Sequence, residues 1–464
     1  MKTRLAAGTC ALVLAGVVAG CGGSDDAGGG GGSGSGETLT VWNNESLPDR
    51  MKATQAILDD FTKQTSIKTK LVGVPEDQLA TLMTNAAAAD KLPDVVLATP
   101  LDQSVQYAAE EIFDSEAAQA VVDKLGPDTF SKKALDLVSV DGKATGVPSD
   151  GWGQLLLYRS DLFKKAGLSA PKSLDDVMAA AEKLNRDGMA GITLATKAGD
   201  GFTAETFEHV ALAKGCQMVD DGGKVTFDSP ECTDALKWYG DIAKNYSVQG
   251  AQDVDSTRGT YFAGRAAMMF WSPFLLDGMA GLRNDTKPSC KECKKDPAFL
   301  AKNSGLIGPL TGADGAPSQF GVVSTFNITV DAPTEDAQKL VEFMMGDGYV
   351  RWLGLSPQGK YPVRAGDDGD PQKFTTAWAG LESGVDRKAP LTKFYSEDSI
   401  KSLGDGVQNF QRWGFTQGQG ALIGALRGEQ PVANAVADVV GGKDPAAAAK
   451  EVQDKAEELQ SGLG

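Results

Sequence analysis

Short apolar runs and amphipathic helix patterns alternate along the first part of this chain, and this alternation constrains the fold more than any other feature. Strands that alternate with helices indicate an α/β architecture with a largely parallel sheet. Ligands of such sheets bind beyond the carboxyl ends of the strands, here in the loops after Val41 and Leu97. The predicted strands are Thr38–Trp42, Ile67–Val74 and Leu92–Leu97, and the helix patterns are Met51–Phe61 and Gln78–Ala89.

Length and charge limit the class of protein. The chain has 464 residues, of which 41% are hydrophobic and 23% charged, so we expect a globular protein with room for two domains. Its formal net charge is −17. Because phosphate backbones are bound by basic surfaces, we expect no nucleic-acid partner. Solubility is the simplest explanation of the acidity.

The chain contains a single histidine, His209. Zinc sites take several histidines or cysteines, and a Ser-His-Asp triad needs a histidine beside its nucleophile. We therefore predict no metal, no cofactor and no enzymatic activity of these kinds. Hydrolysis by a pair of carboxylates stays open.

The N-terminus has the pattern of an export signal. Lys2 and Arg4 precede a short apolar run that is too short to span a membrane. The run ends in Val18-Ala19-Gly20-Cys21, which resembles the bacterial lipobox, and this resemblance implies cleavage before Cys21 and lipidation of that residue. An ordinary secretory signal is the alternative.

The residues after Cys21 predict a tether. Residues 21–36 are rich in glycine and serine and cannot bury apolar surface. No later segment has 18 consecutive apolar residues, so a lipid at Cys21 would be the only anchor. The predicted location is the extracellular face of the cytoplasmic membrane.

Four cysteines remain after the signal and Cys21: Cys216, Cys232, Cys290 and Cys293. Four cysteines allow three pairings, and proximity in sequence favours Cys216–Cys232 and Cys290–Cys293. The CxxC spacing of the second pair also occurs in redox and metal motifs. That spacing lies in a lysine-rich segment without a second CxxC, which favours a structural disulfide.

Three motifs resemble those of a known family. The run Tyr158–Leu168 (YRSDLFKKAGL) follows an apolar strand and precedes a helix pattern at Leu174–Leu184. The run Tyr261–Met269 (YFAGRAAMM) and the short run Pro93–Val96 (PDVV) complete the set. In this order and spacing, the chain from about residue 37 resembles the extracellular solute-binding proteins of the maltodextrin-type sugar-uptake systems.

The resemblance implies a two-lobed periplasmic-binding-protein-like fold (type II), each lobe a mostly parallel sheet flanked by helices. Its boundaries would place lobe 1 at 37–148 and 326–362, and lobe 2 at 149–325 and 363–464. The hinge would consist of segments that cross near Pro148, Phe320–Phe326 and Tyr361–Arg364. The resemblance also implies a monomer that binds a small solute, such as a mono- or oligosaccharide, in the cleft between the lobes. The solute is then delivered to the membrane permease of an ATP-driven (ABC) importer.

Sugar recognition requires aromatic faces and planar polar groups, and the sequence offers both near predicted strand ends. Trp42, Trp152 and Trp271 lie at such ends, Trp413 has an ambiguous context, and the helical Trp238, Trp352 and Trp378 are predicted to be core residues. By position, the resemblance adds Asn44, Glu45, Asp150, Ser272 and Phe274 to the predicted ligand-binding residues. Thr99 and Asp102 follow the third strand, where the small Ala98 makes a long polysaccharide less expected. Core packing is the alternative for the tryptophans, and turn or cap formation for Asn44.

Three other functions stay open at this level. A secreted glycoside hydrolase needs two carboxylates at a suitable separation, and the chain has 62 acidic residues. A receptor for a cationic solute such as a polyamine could use Glu45, Asp102 and Asp150. A surface adhesin or scaffold is disfavoured, because the chain has no repeat and no low-complexity stalk beyond the tether.

Overall fold

A computed structural model of the protein describes residues 38–186 and 188–463. The predicted signal, Cys21 and the tether lie outside the described residues. Up to residue 153 the elements are, in chain order, β1 (Leu39–Asn43), α1 (Pro48–Thr65), β2 (Thr69–Gly73), α2 (Leu79–Ala88), β3 (Val95–Thr99), α3 (Leu101–Ala109), α4 (Ser115–Leu125), α5 (Lys132–Val138), β4 (Ser139–Val140), β5 (Lys143–Ala144) and β6 (Val147–Gly153).

The middle of the chain forms a second sheet from three strands and then adds two strands to the first sheet. Its elements are β7 (Leu155–Arg159), α6 (Ser160–Ala166), α7 (Leu174–Leu184), α8 (Gly201–Ala213), α9 (Pro230–Tyr246), α10 (Val254–Phe262), β8 (Met268–Trp271), α11 (Leu276–Met279), α12 (Phe299–Lys302), β9 (Ser304–Ile307), β10 (Leu310–Thr311) and β11 (Pro317–Ile328).

The last part of the described chain is mainly helical. It contains α13 (Thr334–Met345), α14 (Tyr349–Leu353), α15 (Lys373–Ala379), β12 (Glu382–Ser383), β13 (Ala389–Pro390), α16 (Glu397–Gly406), β14 (Phe410–Gln411), α17 (Gly420–Glu429), α18 (Pro431–Gly441) and α19 (Pro445–Gly462).

Local sequence determines where several of these elements begin. The α7 helix starts with a capping box, in which Ser173 Oγ accepts the Asp176 N–H and the Asp176 carboxylate accepts the Ser173 N–H. Its buried residues recur at helical spacing: Leu174, Val177, Ala180, Ala181 and Leu184. The helix predicted over Leu174–Leu184 is therefore confirmed at both ends.

The two main sheets differ in strand direction. In the first sheet β2, β1 and β3 are parallel, as predicted, but β11 is antiparallel to both β3 and β6. In the second sheet β7 is antiparallel to both β8 and β9. The expectation of a mostly parallel sheet in each lobe is therefore wrong for the second sheet, and the first sheet is mixed. Apolar periodicity is the same in either direction, so the sequence of one strand does not reveal how its neighbour runs.

The predicted crossing segments lie side by side. Strand β6 pairs with β11 from Val147↔Phe326 to Gly153↔Gly321, and only one residue separates β6 from β7 in the second sheet. Tyr361 exchanges two backbone hydrogen bonds with Gly151, with N···O distances of 2.8 and 3.0 Å. Backbone pairing thus joins the segments predicted to form the hinge. The exact lobe boundaries stay a prediction.

The core contains the predicted core tryptophans and both predicted disulfides. Trp238, Trp352 and Trp378 are buried, which confirms their prediction as core residues. The disulfides Cys216–Cys232 and Cys290–Cys293 are both present, and all four cysteines are buried. Burial of the second pair supports a structural role over the alternative of a redox or metal motif.

Candidate functional site

A cavity of about 420 Å³ lies at the carboxyl ends of β1 and β3, beside the paired strands β6 and β11. This volume is within the range of pockets that hold small molecules. Six of the predicted ligand-binding residues line it: Asn44, Glu45, Asp102, Asp150, Trp152 and Phe274.

One wall of this main cavity is aromatic. The rings of Trp152 and Phe274 meet edge to face, with their centroids 5.8 Å apart, and Phe274 keeps 36% of its surface exposed. On its other side Trp152 contacts Phe320, and the guanidinium of Arg412 lies 4.5 Å from the Phe320 ring centroid. The tilted contact with Phe320, which itself packs against Arg412, restrains the Trp152 ring. A β-carbon at Gly359 would overlap the Phe274 ring, so only glycine permits this ring position.

A buried ammonium joins two carboxylates at the floor of the cavity. Lys360 Nζ lies 2.6 Å from Glu45 Oε1 and 3.2 Å from Asp150 Oδ1, and the lysine side chain is only 4% exposed. The second Asp150 oxygen accepts hydrogen bonds from Ser149 Oγ and Trp352 Nε1, each at 2.8 Å. Every charged group in this network therefore has a partner, as burial requires.

Electrostatics keep Glu45 and Lys360 ionised. Burial by itself would raise the pKa of Glu45, but the positive charges of Lys360 and Arg50 outweigh it and lower that pKa to about 2. Burial would likewise lower the pKa of Lys360, but Asp150 and Glu45 raise it instead. The floor of the cavity is thus a fixed set of charges whose sum is small.

Asn44 lines the cavity and carries a buried acceptor that no described residue uses. Its Nδ2 donates to the carbonyl of Ala98 at 3.1 Å, while its Oδ1 is buried without a partner among the described residues. Ala98 has a left-handed φ of 58°, unusual for alanine, which turns the chain at the end of β3. The turn places the Ala98 carbonyl where it holds the Asn44 amide.

Another part of the cavity lining is built around Arg427 from α17. Its Nη1 donates to Asp102 Oδ2 at 3.4 Å, and its Nη2 lies 3.9 Å from Glu205 Oε1. Asp102 belongs to α3 and Glu205 to α8, so one arginine connects three helices at the edge of the cavity. Its guanidinium remains half exposed and can donate to a ligand.

Five predicted ligand-binding residues lie outside the lining of this cavity. Trp42 packs with Val72 and Val96 in a second apolar cluster, because alternate residues of a strand face opposite sides of the sheet. Trp271 is buried, and its indole N–H donates to the carbonyl of Val254. The remaining three are Thr99, fully buried where β3 pairs with β11, Ser272, which begins a 3₁₀ turn, and Trp413, buried against Cys216.

Sequence reasoning missed the cationic residues of the cavity. Lys360 directly precedes a predicted crossing segment and Arg412 precedes Trp413, so both lay beside residues already singled out. Arg50, Arg427 and Glu205 gave no signal, since charged residues on amphipathic helices usually face solvent. Only the packing of α1, α8 and α17 brings them to the cavity.

Comparison with known proteins identifies the family of the chain. The family model described as "Bacterial extracellular solute-binding protein" matches residues 44–351. The putative ABC transporter periplasmic-binding protein YcjN of Escherichia coli (strain K12) is 29% identical over 324 residues, 68% of this chain and 70% of that protein.

Solved structures show the same fold. The sugar-binding protein MalE from Xanthomonas citri gives a TM-score of 0.72 at 19% identity and covers 92% of this chain and 98% of its own. UgpB from Mycobacterium tuberculosis, in complex with glycerophosphocholine, gives a TM-score of 0.67 at 16% identity. The match covers 93% of this chain and 100% of that one. These similarities confirm the predicted two-lobed fold class. Within the described residues, no helix is long and apolar enough to cross a membrane.

Proposed function

The chain belongs to the bacterial extracellular solute-binding proteins. We propose that the protein binds a neutral saccharide in its main cavity and delivers it to an ABC permease. The observation that carries the proposal is the aromatic pair of the partly buried Trp152 and the exposed Phe274, which lines the cavity beside fixed hydrogen-bonding groups. Aromatic faces cover the apolar C–H side of a pyranose, and planar polar groups bind its hydroxyls.

The charges of the cavity favour a neutral ligand. Five acidic and four basic side chains line it, which gives a formal sum of −1. Four of the five carboxylates already contact a cation: Glu45, Asp150, Asp102 and Glu205. A polyamine would have to displace Lys360 to pair with Glu45 and Asp150, at the cost of leaving the buried ammonium unpaired. Hydroxyl groups can instead donate to the carboxylates and accept from the arginines without breaking these pairs.

The proposed mechanism is lobe closure about the paired crossing segments. A ligand that contacts residues of both lobes binds the closed form better than the open form, and its differential affinity shifts the population toward closure. Trp152 and Phe274 would contribute from the side of lobe 2, and Asn44 and Asp102 from the side of lobe 1. The closed form is the shape that a permease would recognise.

We further propose that the protein is held at the outer face of the cytoplasmic membrane by a lipid on Cys21. The lipobox-like sequence before Cys21 and the glycine-rich residues 21–36 support this anchor. Cys21→Ser should release the protein from the membrane fraction into the medium, whereas an unchanged membrane association would contradict the anchor.

The test of ligand class is a thermal-shift screen of the full chain with mono- and oligosaccharides, followed by titration calorimetry. A ligand at 100 times its dissociation constant should stabilise the protein by about 2.7 kcal/mol. Trp152→Ala should weaken binding of that ligand at least about tenfold, because it removes the ring that covers the sugar. Trp42→Ala is a matched control on the far side of β1, outside the cavity.

Two results would contradict the proposal. Stabilisation by a polyamine and by no saccharide would assign a cationic ligand. Release of product from an oligosaccharide would show a hydrolase, since a receptor gives saturable binding and leaves the ligand intact.

A further inference from the structure

A smaller, mostly apolar cavity adjoins the proposed saccharide site. It has a volume of about 60 Å³ and lies between α8, α17 and the start of α18. Glu205, Arg412 and Arg427 line both this side pocket and the main cavity, so the two share a wall. A single buried water needs about 10–15 Å³ of such space, so the side pocket admits a group of a few heavy atoms but no sugar ring.

The inner surface of the side pocket is hydrocarbon. Ile423, Leu426 and Val432 supply aliphatic side chains, and Trp413 supplies an indole ring. The indole N–H of Trp413 donates to the carbonyl of Cys216 at 2.9 Å and is not available to a ligand. Placing a hydroxyl group here would add little binding free energy, because the apolar interior offers it no partner. A methyl group would bind favourably, because its apolar surface is removed from water.

Two polar groups at the side pocket make it more than a packing gap. Gln430 has a left-handed φ of 54°, which is costly for a residue other than glycine. Its Nε2 donates to the carbonyl of Arg427, and its Oε1 is buried without a partner among the described residues. An unpaired buried acceptor is also costly, and an N–H donor from a ligand would satisfy it once the Gln430 side chain turns this oxygen toward the side pocket.

Glu205 is the second polar group. Its side chain keeps 24% of its surface exposed, yet loss of hydration raises its pKa. Arg427 and Arg412 stand beside it as hydrogen-bond donors on the shared wall. The side pocket therefore combines an apolar interior, one unused acceptor and cationic donors at its entrance.

We propose that the side pocket receives the acetamido group of a 2-acetamido-2-deoxy sugar whose ring lies in the main cavity. The methyl group packs against Ile423, Leu426 and Val432, and the amide N–H donates to Gln430 Oε1. The amide carbonyl accepts from the guanidinium of Arg427 or Arg412. This inference rests on the proposed function, because it requires a saccharide in the main cavity.

Matched pairs of sugars that differ only at C2 test the inference. We expect the full chain to bind N-acetylglucosamine at least about tenfold more tightly than glucose, and N,N′-diacetylchitobiose more tightly than cellobiose by the same factor. Titration calorimetry measures both ratios. Glucose and cellobiose carry a hydroxyl group at C2 in place of the acetamido group. They would therefore leave the apolar interior of the side pocket empty and provide no amide N–H for Gln430.

Two variants of the side pocket should reduce these ratios. Ala204→Leu places a larger side chain in the side pocket and should bring each ratio close to one. Gln430→Asn shortens the side chain, withdraws the acceptor and retains a residue that tolerates the left-handed conformation, so each ratio should fall to about threefold. Ala446→Leu, at an exposed position of α19, is the matched control and should leave the ratios unchanged.

The outcomes separate this inference from the proposed function. Equal affinity for the acetamido and parent sugars, or binding only of sugars that lack the group, would overturn the acetamido site and leave saccharide binding intact. Ratios that persist in both Ala204→Leu and Gln430→Asn would overturn it as well. If no saccharide binds at all, the proposed function fails, and the acetamido site fails with it.

Discussion

The only histidine of the chain should make the protein less stable in mild acid. His209 is fully buried in α8, where its ring contacts Phe270 edge to face. Its Nδ1 accepts the backbone N–H of Phe320 in β11 at 3.2 Å, and Nε2 has no partner among the described residues. Burial lowers the pKa of His209 from 6.5 to about 3, so the ring stays neutral in the folded state.

The magnitude follows from the two pKa values. Below pH 6.5 the unfolded chain binds a proton that the folded protein does not, so the free energy of unfolding falls by about 1.4 kcal/mol per pH unit. Between pH 8 and pH 5 this histidine should therefore cost about 2 kcal/mol of stability. The loss continues until the pH reaches the folded pKa near 3.

The matched variant is His209→Asn, whose Oδ1 can accept the same Phe320 N–H but does not titrate. Urea unfolding of both proteins at pH 8 and pH 5, followed by tryptophan fluorescence, isolates the histidine from the many carboxylates that also titrate. The wild type should lose about 2 kcal/mol more than the variant. Equal losses, or an imidazole NMR signal that titrates near pH 6.5, would refute the reasoning.

Three further predictions concern stability and are measured by urea unfolding. Trp271→Ala should cost about 3–5 kcal/mol because the ring is buried, and a loss below about 1 kcal/mol would show that it is not a core residue. Lys360→Met should cost about 3–5 kcal/mol because Glu45 and Asp150 lose their shared cation, whereas an unchanged midpoint would show that the network relaxes. Cys232→Ser should cost about 3 kcal/mol by opening a 16-residue loop, and no loss would point to residual structure in the unfolded chain.

The sequence predicted local structure well where the signal was local. The α7 helix carries both its apolar stripe and its capping box within a few residues, so its bounds could be predicted. The two disulfides were predicted from proximity because short loops close at low entropic cost. The antiparallel direction of β8 and β9 beside β7 is set by how the chain returns over some 100 residues, and no local pattern records it.

The candidate site shows the same division. Asn44, Glu45, Asp150 and Trp152 follow strand ends or lie in a crossing segment, so strand patterns and motif order were enough to place them near a cleft. Trp42 occupies an equivalent strand end but faces the other side of the sheet. Which side of a sheet faces a cleft depends on what packs against the other side, and this is a tertiary property.

The sequence by itself determined the α/β architecture, the order of the family motifs, the cysteine pairs and the strand-end positions of the polar cavity residues. Each of these is encoded by residues close together in the chain or by their order along it. Only the tertiary structure decided that Lys360 neutralises Glu45 and Asp150, and that Arg427 joins Asp102 to Glu205. These partners are separated by more than 200 residues, and a charge reveals its role only when folding removes it from water and places its counterion beside it.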